Sequence, residues 1–138
     1  MKTVVTKLLF GIIIFTTTTV YADLPTNTKA TRENLLEDAV IDLLEKPTYE
    51  AIEDYYGTTY TIGAFCQRVI AIKKLQHPGS WLFEVKLEFV TFTGSHKFMD
   101  IFTVTIHKDW ETEGKWEVKN YYVRKYDQSE KYECRDPA

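Results

Sequence analysis

Residues 81–89 read Trp-Leu-Phe-Glu-Val-Lys-Leu-Glu-Phe, with Trp81, Phe83, Val85, Leu87 and Phe89 on one side and Glu84, Lys86 and Glu88 on the other. Side chains leave a strand on alternate faces, so this period of two predicts a half-buried strand whose odd positions form core. Glu88 is then expected to point to water. The pattern recurs on both sides of this stretch. Upstream, Phe65 to Leu75 is a β-branched, mixed run that ends in the turn cluster Gln76-His77-Pro78-Gly79-Ser80. Downstream, after Gly94-Ser95-His96, Phe102, Val104 and Ile106 alternate with Thr103, Thr105 and His107. Glu111 to Gly114 turns the chain into a last strand, with Trp116, Val118 and Tyr122 expected on one side and Glu117, Lys119 and Tyr121 on the other.

Before Thr58 the period is helical. Thr31 is placed to cap a helix with Glu33 in its first turn, and Leu35, Leu36, Ala39, Val40, Leu43 and Leu44 form its apolar stripe. Lys46-Pro47 stops it, and Pro47 suits the first turn of a second, shorter helix. There Tyr49, Ile52 and Tyr56 share a face, Glu50, Glu53 and Asp54 stay wet, and Gly57 terminates. That acidic row reads as a solvated face rather than a metal site, because no His or Cys is interleaved. Two helices followed by an antiparallel meander with one apolar face predict an α+β fold, the helices packed on a curved four-stranded sheet in a cystatin-like or nuclear-transport-factor-like layout. The single domain spans residues 31–126, with a flexible leader at 23–30 and a polar tail at 127–138.

The opening segment stands outside that fold. Lys2 and Lys7 precede the apolar run Leu8 to Phe15, and Val20-Tyr21-Ala22 offers small residues where a signal peptidase reads. This predicts a signal peptide at 1–22, cleavage between Ala22 and Asp23, and a secreted protein, extracellular or held at the cell wall. An uncleaved anchor is the competing reading, but Thr16 to Thr19 interrupts the run short of the roughly 20 apolar residues that span a bilayer. Cleavage takes Lys+Arg from 17 to 15 against 20 Asp+Glu, and the formal net charge from −3 to −5. Such a chain has no basic excess with which to neutralise phosphates, so nucleic acid is not an expected partner. Cys66 and Cys134 are the two cysteines. An even count in an exported chain predicts a disulfide pinning the tail, with two free thiols as the alternative.

Ala51-Ile52-Glu53-Asp54-Tyr55-Tyr56-Gly57, together with Phe83-Glu84-Val85-Lys86 and Thr91-Phe92-Thr93-Gly94-Ser95-His96, resembles an exported family of Gram-positive bacteria, domain of unknown function 3888. The resemblance runs from about Leu35 to about Val123. It implies a signal peptide, a leucine-rich helix, a Tyr-Tyr-Gly helix end and then strands, but no activity. In the family the Gly-Ser/Ala-His element leads into an Asn and a Pro-Pro-Tyr-Gly turn, whereas Lys97-Phe98-Met99-Asp100 follows here. If that turn carries the family's function, this chain has lost or altered it.

Chemistry-bearing motifs are few. Of His77, His96 and His107, none has metal-ligand spacing, so no metal and no cofactor is expected. His96, with Asp100 four residues on, is the one candidate acid/base pair, set against the commoner reading of polar turn residues. No serine sits in a nucleophile elbow and neither cysteine has an activating base beside it. Gln67-Arg68-Val69-Ile70-Ala71 is superficially similar to the Gln-x-Val-x-Gly hairpin of cystatin inhibitors, but lacks its Gly. Tyr55, Tyr56, Tyr60, Tyr121, Tyr122 and Tyr126 are many for a core alone, since a buried phenol wants a hydrogen-bond partner. They either line the helix–sheet seam or edge a pocket. The expected function is a small exported binding or interaction module for a protein or small apolar ligand, with Tyr55, Tyr56, His96 and Asp100 as its candidate residues. A small enzyme using His96 and Asp100 in a conical pocket is the alternative. Protein recovered from culture medium is expected to have an intact mass that begins at Asp23; a chain still carrying Met1 or Lys2 would refute the cleavage.

Overall fold

The computed structural model describes residues 31–95 and 97–136. The signal segment, the cleavage point between Ala22 and Asp23, the 23–30 leader and His96 lie outside them. Helices α1 (Arg32–Leu43) and α2 (Glu45–Tyr56) precede strands β1 (Ile62–Lys74), β2 (Phe83–Thr93), β3 (Lys97–Lys108) and β4 (Glu117–Lys125). The strands form one antiparallel sheet in the order β1-β2-β3-β4, which makes the fold α+β as expected.

Local chemistry sets the helix ends. The Thr31 hydroxyl accepts the Asn34 amide at 3.2 Å. Pro47 has no N–H to continue the α1 ladder, so the chain breaks at Leu44 and restarts. Gly57 closes α2 at φ 73°, donating to the Glu53 carbonyl at 2.7 Å. The core lies between the helices and one sheet face: Leu44, Ala51 and Ile52 pack on Val85, Leu87, Phe89, Phe102, Val104 and Ile106. Phe89 and Phe102 stack at its centre, centroids 5.2 Å apart.

Four details differ from the sequence reading. Of the apolar residues of α1 and its cap, Val40, Ile41 and Leu44 pack on the core, while Leu35, Leu36 and Leu43 are exposed. Leu43 lies about 100° round the helix from Leu44, and Leu36, one turn before Val40, lines an open groove with Val69 and Ile72 of β1. Trp81 is 79% exposed, because the β1–β2 ladder begins only at Phe83 and Trp81 leaves from the loop before it. In β4 the core side chains are Trp116 and Val118 and then Tyr121 and Val123, while Tyr122 is exposed. Thr105 pairs with Asn120 and Ile106 with Val118, so Lys119 is an extra residue that reverses the alternation after it.

Glu88 is the fourth. It does leave the core face, yet it meets Arg68 in an ion pair and accepts the Tyr132 hydroxyl at 3.2 Å. The tail after β4 lies on the side of the sheet away from the helices, over the buried Val90 and Ile101 and an aromatic run of Phe65, Phe92, Phe98, Tyr126 and Tyr132. Phe92 lies so close to Gly63 that a Cβ there would meet the ring at 2.5 Å. Arg124 grips Glu130 through two bonds of 2.7 Å, and Arg135 bonds the Gln67 carbonyl and pairs with Asp38 of α1. Cys66 and Cys134 are joined in a disulfide, their Cα atoms 4.8 Å apart. Cys66 sits at φ 54° in a bulge between the Phe65 and Arg68 pairs. Closing a loop over a separation of 68 residues constrains the unfolded chain by up to about 4 kcal/mol.

Phe89→Ala is expected to cost about 3–5 kcal/mol in denaturant melts, the usual range for truncating a buried aromatic. Trp81→Ala should cost within about 0.5 kcal/mol, as surface changes do. Comparable losses would overturn the assignment of core and loop.

Candidate functional site

The residues singled out from the sequence converge where the end of α2 meets β2, β3 and β4. Gly57 stops α2 just after Tyr55-Tyr56, and the helix face that buries Ile52 carries Tyr56 onto the sheet one turn later. The Tyr56 hydroxyl lies 2.5 Å from Asp100 Oδ2 and 2.8 Å from Thr91 Oγ1. Thr91 opposes both Met99 and Asp100 in a bulge between the Val90–Ile101 and Phe92–Phe98 pairs, and there its hydroxyl accepts the Asp100 amide at 3.2 Å and contacts the Asp100 carbonyl at 3.1 Å. Asp100 is fully buried, and its other oxygen, Oδ1, faces the Lys125 ammonium at 2.9 Å.

The electrostatics follow from this packing. Burial, reinforced by Asp100, pushes the Tyr56 phenol well above its ordinary value. Its hydrogen bond to Asp100 holds the Lys125 ammonium above the usual lysine range. Each carboxylate oxygen thus has one partner, Tyr56 on Oδ2 and Lys125 on Oδ1. Tyr55 stands at the surface of this cluster, its ring edge-on to Tyr56 at 4.8 Å and to Phe102 at 5.4 Å. Tyr55, Tyr56 and Asp100 are thus brought together. His96 belongs to the turn between β2 and β3 by sequence and lies outside the described residues. Among the described residues no group of His, Cys, Asp and Glu is arranged to hold a metal ion.

Next to Tyr55 the surface opens into a groove of about 510 Å³ between α2 and β4, lined by Lys46, Glu50, Ala51 and Asp54 on the helix and by the unbroken run 115–121, the last five of them on β4. Consecutive strand residues point to opposite faces, so a wall that includes every one of them looks onto the strand's edge rather than one of its faces. β4 is the last strand of the sheet, and its outer edge has no strand partner among the described residues. Tyr121 closes the end nearest Tyr55, donating to Asp54 Oδ2 at 2.5 Å. That bond raises the Tyr121 phenol above its ordinary range, and burial adds to it. Sequence reading missed this groove, because its walls come from segments more than sixty residues apart, though Asp54 is exposed as expected. The one signal available was Ala51, the small residue amid larger ones on the α2 face.

A family model described as "Protein of unknown function (DUF3888)" matches residues 36–125, which takes in α1 from Leu36 to the end of β4 and stops short of the tail bearing Cys134. No curated protein and no solved structure matches the chain.

Tyr56→Phe removes a donor from a buried carboxylate and is expected to cost about 1–3 kcal/mol at neutral pH. Because the folded phenol titrates above its unfolded value of about 10, its contribution is intact below that pH and lost as pH rises through the folded value. Melts at increasing alkalinity should therefore show wild type and variant converging; a difference that holds constant above pH 10 would contradict the assignment.

Proposed function

The chain belongs to the DUF3888 family of proteins of unknown function, and from that premise we propose that it is an exported, non-enzymatic binding module that takes an extended peptide segment of a protein partner in the α2–β4 groove. The observation that carries this reading is the groove wall itself, where Glu117–Tyr121 present a strand edge that has no strand partner among the described residues. An extended chain can add to such an edge through main-chain hydrogen bonds, its side chains sorting alternately to either side. The walls carry Lys46, Lys115 and Lys119 against Glu50, Asp54 and Glu117, which suits a segment of mixed charge better than a strongly acidic or basic one. The space between helices and sheet favours surface binding over catalysis in an internal pocket, since Phe89, Phe102, Leu87 and Ile52 fill it. Export is supported by the opening segment and accords with the Cys66–Cys134 bond, which persists in oxidising compartments.

The test is an amide-resolved NMR titration of the domain with a heptapeptide alternating Val or Thr with Lys and Glu, alongside copies N-methylated at alternate residues. Shifts are expected along residues 115–121 and 46–54, and one of the two N-methylated registers should abolish them. Shifts located elsewhere, or equal responses to all three peptides, would overturn the reading.

A further inference from the structure

The opposite end of the sheet from Tyr56 carries the chain's three tryptophans. The β2–β3 ladder ends with Phe83 paired to Lys108, so Trp81, in the loop that enters β2, and Trp110, in the turn that follows β3, both leave from this end. Both are open to solvent, at 79% and 73%. Trp116 follows at the far side of the same turn and packs against the core.

Trp110 is exposed but not loose. Its turn is tied down by Asp109 Oδ1, which accepts the amides of Glu111 at 2.9 Å and Thr112 at 3.0 Å, while Gly114 donates to the Asp109 carbonyl at 3.0 Å. Thr112, at the centre of these bonds, is buried. The indole is also held at its edge, because Nε1–H donates to Gln76 Oε1 at 3.2 Å from the neighbouring hairpin turn. An indole oriented in this way keeps its flat face available without the ordering cost of a mobile ring on binding. Beside it lies a cavity of about 260 Å³ lined by Gln76, His107, Asp109, Glu111 and Lys119. His107 Nδ1 lies 2.9 Å from Asp109 Oδ2, and Lys119 reaches back to Glu84 at 2.8 Å, so the wall is preorganised as well.

We propose that this end of the sheet is a glycan-binding site that takes one pyranose ring of a neutral oligosaccharide against Trp110. A pyranose has C–H groups on one face, which suit an aromatic plane, and a rim of hydroxyls that both donate and accept. The wall beside Trp110 offers carboxylate acceptors, an amide nitrogen on Gln76, an imidazole and an ammonium. The cavity is smaller than the roughly 300–1,000 Å³ of a site for a drug-sized ligand, which fits one ring of a chain whose neighbours extend along the surface toward Trp81. Asp109 and Glu111 flank the indole, so anionic lipid headgroups and phosphates are disfavoured there. The site shares Lys119 with the wall of the peptide groove, but its argument does not rest on that groove.

The experiment is a titration of the folded, oxidised protein with cellohexaose and with chitohexaose, read by tryptophan fluorescence and by the indole N–H resonances. At least one of the two is expected to bind in the millimolar range or tighter and to move the Trp110 resonance. Trp110→Ala should weaken binding by about tenfold or more, and Trp81→Ala by less, since a central aromatic anchor outweighs a peripheral one. An unchanged melting curve for Trp110→Ala, expected of so exposed a side chain, separates lost binding from lost folding. No response to either sugar, or binding that survives Trp110→Ala, would overturn the proposal. So would Trp110-dependent association with phosphatidylglycerol vesicles in the absence of any response to sugar.

Discussion

A four-stranded sheet has two faces to keep from water, and this chain supplies only two short helices to cover them. The helices take one face, where Phe89 and Phe102 stack beneath Ile52 and Leu44. An aromatic pair adds about 0.5–1.5 kcal/mol beyond the area it buries, and here it also fixes the register of β2 on β3 at mid-sheet. The other face holds Val90 and Ile101, which are as buried as the main core, and the tail runs on that side, with Tyr132 bonded to Glu88. A sheet of this size thus becomes three-layered with no third helix. The tail has little apolar surface with which to hold its place. Its attachment is instead polar and covalent: the Arg124–Glu130 fork, Tyr132 on Glu88, Arg135 on Asp38 and the Cys66–Cys134 bond. Burial and the adjacent Glu88 push the Tyr132 phenol up to about 12, so it remains a neutral donor through the physiological range.

The Tyr56–Asp100–Lys125 cluster answers a second geometric difficulty. Where β2 and β3 slip past each other at Thr91, the bulge leaves backbone groups without ladder partners. The Thr91 hydroxyl takes the Asp100 amide, and the carboxylate then anchors the last turn of α2 through Tyr56. A buried carboxylate is tolerable only when its oxygens are matched. Paired with Tyr56 and Lys125, it latches the end of α2 to the sheet.

Much of this was legible from the residues alone, and the failures share a cause. The helix cap at Thr31, the stop at Pro47, the end at Gly57 and the alternation through Val85, Leu87 and Phe89 are local signals, and the structure follows them. Tyr121 and Tyr122 exchanged places because one extra residue, Lys119, shifts the phase of β4, and no local signal marks a bulge. The covered outer face went unseen because Val90, Ile101 and Phe92 each look like a lapse in an alternating pattern until the tail is laid across them. Tyr56 and Asp100 were each singled out, yet their pairing across 44 positions, with Lys125 and Thr91 completing it, is a property of the sheet register.

The placement of the disulfide also decides how the domain bears load. Cys66 and Cys134 close a covalent ring that contains most of β1 and all of β2, β3 and β4, while both helices lie outside it. Tension applied between the two ends of the chain would pass through α1 and α2 to Cys66, cross to Cys134 and leave again, bypassing three strands. Within the sheet only Ile62–Phe65 of β1 lie on the loaded path, and the residues between Cys66 and Cys134 add nothing to the extension while the bond holds.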